Sequence, residues 1–257
     1  MIYTGKMAQH EIICGKNAVR ELLKAGRRKC YEVFLSAGKG EDRLDEIQEL
    51  ASARGISCST RSPHEIALLS HVEKHQGVAA RVEPFQYAVL EKILFDTSSA
   101  SPVFLILDSI VDPQNLGSIL RTAHQIGVDA VILPKDRSAP IGPATLRTAA
   151  GAVEYLPIVQ VTNLTSSLKI LKEKGFWIYG AEIEGGKSLY EIDFSRDPVA
   201  VVLGAEGKGM RRLIREHCDF LMTIPMKGVI DSLNVSVAGA IILAEIARQR
   251  SRGKKHA

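Results

Sequence analysis

The sequence predicts an α/β protein built on a large, mainly parallel sheet, with a smaller α/β unit ahead of it. From residue 103 onward, short runs rich in Val, Ile and Leu alternate with amphipathic stretches at helical spacing. Continuous apolar runs joined by helical crossovers are what strands covered on both faces require. Residues 1–84 repeat the alternation on a smaller scale. Pro84 and the small polar string 97–101 ahead of Pro102 mark a linker over 85–101, leaving 1–84 and 102–257 as two domains.

Taken in order, 17–24 carries Val19, Leu22 and Leu23 at helical spacing and stops at Gly26. Residues 31–35 read as a strand, 43–54 as a helix closed by Gly55, and 56–60 as a second strand. A short helix follows Pro63, 77–82 makes a third strand, and 87–95 bridges the linker as a short helix. The second domain reads as strand 103–107, helix 116–126, strand 130–133, a helix near 143–150, strand 156–161 and helix 164–174. Strands at 177–183, 199–203 and 221–224 follow, then a final helix from 232 to about 250. That helix is apolar almost all round, with Val235, Val237, Ile241, Ile242 and Leu243 spread over every side. A helix of this kind is covered on all sides. One sheet covers a single side, so a second subunit is expected against the rest.

Composition sets bounds. With 257 residues, 46% of them hydrophobic, the chain can bury a substantial core, and global disorder is excluded. A net charge of +4 suits an RNA-binding protein but is shared by many metabolic enzymes. Cys14, Cys30, Cys58 and Cys218 form no C-x-x-C pair and read as reduced thiols. The string from His71 to His75 matches neither zinc-helix motif, so no metal is expected. The longest apolar stretch, 235–244, is closed by Glu245 and is too short to span a bilayer. No membrane association and a cytoplasmic location are expected.

Three polar strings follow apolar runs, where open α/β sheets place their ligands. The first is Asp112-Pro113-Gln114-Asn115-Leu116-Gly117, continuing to Arg121; the second is Leu203-Gly204-Ala205-Glu206-Gly207-Lys208-Gly209. The third is Ile224-Pro225-Met226-Lys227-Gly228, then Asp231-Ser232-Leu233-Asn234-Val235-Ser236. Phosphate-cradling loops do not fit them. A P-loop needs Ser or Thr after Gly-Lys, where Gly209 stands, and a dinucleotide fingerprint needs a third glycine where Arg212 stands. The ligand is therefore not expected to be held by its phosphates.

Together, Asn-x-Gly-x-x-x-Arg, Leu-Gly-x-Glu-Gly-x-Gly and Ile-Pro-Met…Ser-Leu-Asn-Val-Ser resemble the three motifs of the SPOUT methyltransferases, specifically the TrmH-type RNA ribose 2'-O-methyltransferases. The likeness covers residues 101–250 and implies a C-terminal trefoil knot, a homodimer, and S-adenosylmethionine as cofactor. It points to Leu203, Gly204, Glu206, Gly207, Ile224, Met226, Ser232 and Leu233 as cofactor contacts. Arg121, Asn115, Glu206 and Asn234 are the implied catalytic residues.

Each residue also has a structural reading. Arg121 could instead pair with Asp108 or Asp112. Asn115 could organise the start of a helix, and Glu206 and Asn234 could organise loops. A guanidinium has no acceptor while protonated, so Arg121 suits gripping a phosphate and stabilising an alkoxide better than taking a proton. The cluster Arg211, Arg212 and Arg215 lies beside the second string and suits RNA phosphates.

Residues Gly15, Asn17, Ala18 and Val19, with His75, Gln76, Gly77 and Val78, resemble the ribosomal-protein-like domain carried by ribosomal-RNA members of the family. The likeness favours a guanosine of large-subunit ribosomal RNA over transfer RNA. A catalytically silent RNA-binding factor and a metabolic α/β enzyme using a phosphorylated cofactor are the competing readings.

Overall fold

The structure, a computed structural model, describes residues 10–36, 44–229 and 232–253. Asp231, part of the third string, and residue 43, the expected start of a helix, lie outside the described residues. The chain forms two compact units, one of residues 1–86 with 141–155, the other of 87–140 with 156–257.

In the first unit, β1 (Glu11–Cys14), α1 (Lys16–Ala25), β2 (Cys30–Ser36), α2 (Asp45–Ala53), β3 (Ser57–Arg61), α3 (Pro63–Ser70) and β4 (Val78–Val82) succeed one another. The sheet order is β1-β4-β2-β3, with β2 and β3 parallel and β4 antiparallel to both its neighbours. α1 buries Val19, Leu22 and Leu23 and ends at Gly26, whose left-handed φ of 64° lets its N–H reach Leu22 O. α3 starts with a capping box between Ser62 and Glu65, with Pro63 in the first turn. The strand β1 had no counterpart among the sequence expectations. Only four residues long, it exists because β4 offers it a partner edge.

In the second unit, α4 (Leu90–Asp96) and β5 (Val103–Leu107) lead into α5 (Pro113–Ile126) and β6 (Ala130–Pro134). The next helix, α6 (Pro143–Ala149), belongs in space to the first unit, where it packs on β1 and α1. Its Leu146 and Ala149, with Ala152 and Val153 of the following turn, are buried there. Behind them Arg28 donates to Glu154 Oε1 at 3.0 Å and to Glu11 Oε2 at 2.8 Å. Chain order alone had placed 141–155 with the residues on either side of it.

The chain continues through β7 (Ile158–Val161), α7 (Leu164–Glu173), β8 (Trp177–Glu182), β9 (Lys187–Ser188), β10 (Val199–Leu203), α8 (Arg212–Glu216), β11 (Phe220–Thr223) and α9 (Val235–Gly253). The sheet order is β7-β6-β5-β10-β8-β11-β9, and every pairing is parallel. β5, β6 and β10 are buried along their whole length, as expected of strands covered on both faces. Phe104, Ile106, Ala200 and Val202 pack with Leu164, Leu168 and Leu171 of α7 in one core, and α5 lies against α9.

Three helix starts differ from expectation by three residues, the first being α4, which begins at Leu90 and not at 87. α5 begins at Pro113, three residues early, because Asp112 caps it, accepting from Gln114 N at 3.2 Å and Asn115 N at 3.0 Å. The capping role considered for Asn115 therefore belongs to Asp112. α9 begins at Val235, three residues late, because Asn234 Oδ1 accepts from Ser236 N at 2.9 Å and stops the helix there. Within one chain α9 is not covered all round: Ile242, Leu243 and Ile246 are buried, while Val237 is 47% exposed. Among the described residues, no helix is long and apolar enough to cross a membrane.

Candidate active site

Because β5, β10 and β11 run parallel, their C-terminal ends point the same way, and the loops after them meet. These loops hold the three polar strings. Between the loop after β10 and the segment leading into α9 lies a cleft of about 680 Å³, counting its open mouth. All the residues nominated for the cofactor line it: Leu203, Gly204, Glu206, Gly207, Ile224, Met226, Ser232 and Leu233. Ala181 to Ile183 at the end of β8, Ala205, Gly209 and Met222, and Val235, Ala238 and Ile242 of α9 complete the lining. The α9 residues belong to the final helix read from the sequence, and Val235 also to the third string, whereas the end of β8 was not singled out there. The end of β8 joins because that strand lies between β10 and β11.

Gly204 shows why glycine is needed. A Cβ there would lie 2.2 Å from Gly209 C and 2.3 Å from Met210 N, both main-chain atoms that cannot yield. The loop returns on itself through Ala205 N to Gly209 O (3.0 Å) and Gly209 N to Ala205 O (2.8 Å). Gly207 (φ 74°) and Gly209 (φ 64°) supply the left-handed turns that this return needs. The walls are apolar side chains and close-lying main chain. That suits a flat, uncharged purine, held by apolar contact and by main-chain groups. The residues present therefore fit S-adenosylmethionine.

Polar groups gather at the rim. Asn115 Nδ2 donates to Glu206 Oε2 at 3.3 Å, and Asn234 Nδ2 donates to Asn115 Oδ1 at 2.9 Å. Asn234 Oδ1 also accepts from Ser236 Oγ at 2.6 Å. One chain of amides and a carboxylate thus ties the start of α5 to the loop after β10 and the start of α9.

Arg121 is not part of this group. It lies six residues beyond Asn115 on α5, about 9 Å along the helix axis and about 120° around it, and is exposed. Among the described residues it makes no ion pair. The two acids considered for it are engaged elsewhere: Asp108 holds Arg211, and Asp112 caps α5. Of the other basic residues in the cluster beside the second string, Arg212 pairs with Glu216 (3.5 Å) and Arg215 with Glu182 (3.3 Å). Among the described residues, no group of three or more His, Cys, Asp or Glu could hold a metal ion.

Residues 102–244 match the family model described as the SpoU rRNA Methylase family, and residues 12–88 match one described as RNA 2'-O ribose methyltransferase substrate binding. The chain belongs to the SpoU rRNA methylase family. This SpoU methylase is 43% identical over 248 residues to the 23S rRNA (guanosine-2'-O-)-methyltransferase RlmB of Pseudomonas aeruginosa, covering 95% of this chain and 99% of that protein. RlmB of Pseudomonas syringae pv. tomato is 43% identical over 253 residues, covering 97% of this chain and all of the relative. The crystal structure of the SpoU methyltransferase AviRb from Streptomyces viridochromogenes, in complex with AdoMet, superposes with a TM-score of 0.78 at 22% identity. It covers 94% of this chain and 91% of its own, and shares the fold.

Proposed function

We propose that this SpoU methylase transfers a methyl group from S-adenosylmethionine to the ribose 2'-hydroxyl of a guanosine in 23S ribosomal RNA. The observation that carries this reading is the convergence of three polar strings on one apolar cleft with a hydrogen-bonded polar rim. The end-to-end likeness to RlmB supports the substrate.

When bound, S-adenosylmethionine supplies a methyl group activated on a sulfonium. Gly204, Ile224 and Leu233 hold the purine through main chain and apolar contact, with Leu203, Glu206, Gly207, Met226 and Ser232 around it. Asn115 orients Glu206 and Asn234, which position the hydroxyl. Arg121, keeping its charge, grips a backbone phosphate beside the target ribose and stabilises the oxygen as its proton leaves. Residues 1–84 select the RNA, in keeping with the substrate-binding model that matches 12–88.

The protein works in the cytoplasm as a homodimer in which a second copy covers the exposed side of α9 around Val237. Its chain is knotted where the segment after β11 returns beside the loop after β10.

Nucleoside mass spectrometry of 23S ribosomal RNA from cells with and without the protein tests the reading. Loss of one 2'-O-methylguanosine is expected. Unchanged ribosomal RNA with a lost transfer-RNA methyl group would redirect the substrate, and no lost methyl at all would leave the silent-factor reading.

A further inference from the structure

Beside the cofactor cleft lies a second one, sharing Glu206 and Gly209 with it and lined also by Asn115, Arg137, Lys208 and Arg211. Arg211 in its lining is held by Asp108, a fully buried carboxylate immediately after β5. Both of its oxygens are committed to one residue: Arg211 N donates to Oδ2 at 2.8 Å and Arg211 Nε to Oδ1 at 2.6 Å. Ser109 Oγ adds a contact to Oδ1 at 3.1 Å. A buried carboxylate that grips Nε fixes the plane of the guanidinium, while the side chain stays 41% exposed. Among the described residues, the two terminal nitrogens of Arg211 have no protein acceptor, and Arg137 and Lys208 have no acidic partner.

The acids lining this cleft are already occupied. Asp112 accepts two main-chain N–H groups of α5, and Glu206 accepts from Asn115. The cleft therefore offers unfilled donors. Ser109 (φ 68°) and Arg137 (φ 59°) also hold left-handed main-chain conformations that non-glycine residues rarely keep without a constraint.

We propose that the Asp108–Arg211 pair is a preset clamp for an RNA backbone phosphate, seating the strand beside the methyl-transfer cleft, with Arg137 and Lys208 flanking it. This rests on the RNA methyltransferase reading above. Arg211 binds the phosphate through its terminal nitrogens, and Asp108 is a positioning residue acting through Arg211.

The test measures affinity for a 23S ribosomal RNA transcript across a salt series, S-adenosylmethionine affinity by calorimetry, and thermal unfolding. Arg211→Gln leaves Asp108 buried without its partner, so it is compared with the double variant Asp108→Asn, Arg211→Gln. In that variant the amide oxygen at 108 still accepts from the main-chain N–H of residue 211. The double variant is expected to unfold like wild type and keep its cofactor affinity. It should lose about tenfold or more in RNA affinity and reduce the slope of log K against log salt by about 0.7. Arg211→Lys, which keeps the charge but not the fork, should hold the slope and still lose affinity. A double variant with wild-type slope and RNA affinity would make the pair purely structural and overturn the clamp. Methyl incorporation is read separately: a wild-type protein that binds RNA with the full slope yet transfers no methyl sinks the enzymatic reading, not the clamp.

Discussion

Asn234 donates from Nδ2 to Asn115 Oδ1 at 2.9 Å across 119 residues of sequence, while its own Oδ1 caps α9 through Ser236 N. One side chain thus starts a helix and joins it to another. Asn234→Asp keeps the capping oxygen and deletes the donor. The variant should unfold within a degree or two of wild type but lose most methyl transfer. Asn234→Ala removes the cap as well and should cost about 1 kcal/mol in addition. Chemical unfolding beside methyl incorporation checks both.

The two glycines of the second string should respond differently. Gly204→Ala drives a Cβ into the main chain of Gly209 and Met210, and S-adenosylmethionine binding should vanish in calorimetry. At Gly207 nothing lies within 4 Å of the added Cβ, and only the φ of 74° is unfavourable. Gly207→Ala should cost about 1–2 kcal/mol of loop strain and weaken the cofactor without abolishing it. Equal effects would mean that the close approach at Gly204 does not shape the cleft.

Arg121→Ala should leave folding untouched, since an exposed side chain without an ion pair contributes within about 0.5 kcal/mol. Methyl transfer should nevertheless collapse while cofactor affinity stays the same. Wild-type activity in this variant would remove Arg121 from the reaction.

Glu154 is 4% exposed, and burial pushes its carboxyl above its ordinary 4.5 despite the nearby Arg28. A folded pKa above the unfolded one favours the protonated form. The contribution to stability is therefore whole below pH 4.5 and is lost as pH climbs through the raised value. Glu154→Gln stays neutral throughout. Relative to wild type, the variant should gain stability as pH rises across that window, measured by urea unfolding. A difference independent of pH would contradict the shift.

Much of this fold was legible because strands buried on both faces leave continuous apolar runs, and 103–107 and 199–203 were read to the residue. The elements missed are short or polar. α8 is five residues with three charges, Arg212, Arg215 and Glu216, and β9 is two residues long. The start of α5 was readable from Asp112-Pro113, an N-cap followed by proline, but that string drew attention as chemistry.

The site was legible as glycine-spaced loops and not as contacts. Which partner Asp108 takes depends on β10 lying beside β5, and that brings Arg211 across 103 residues. Sequence chemistry offered Asp108 to Arg121 because both were near in the chain. Topology gave it to Arg211.

The first unit owns a segment from the middle of the chain, with Tyr155 Oη donating to Glu21 Oε2 at 2.9 Å and Glu154 held by Arg28. A gene exchange that cut near residue 86 would import half of that interior and orphan the other half. Recombination among relatives is then constrained to move 141–155 with the amino-terminal unit or to move neither, so the two stretches should change in step along lineages even where the sequence between them drifts.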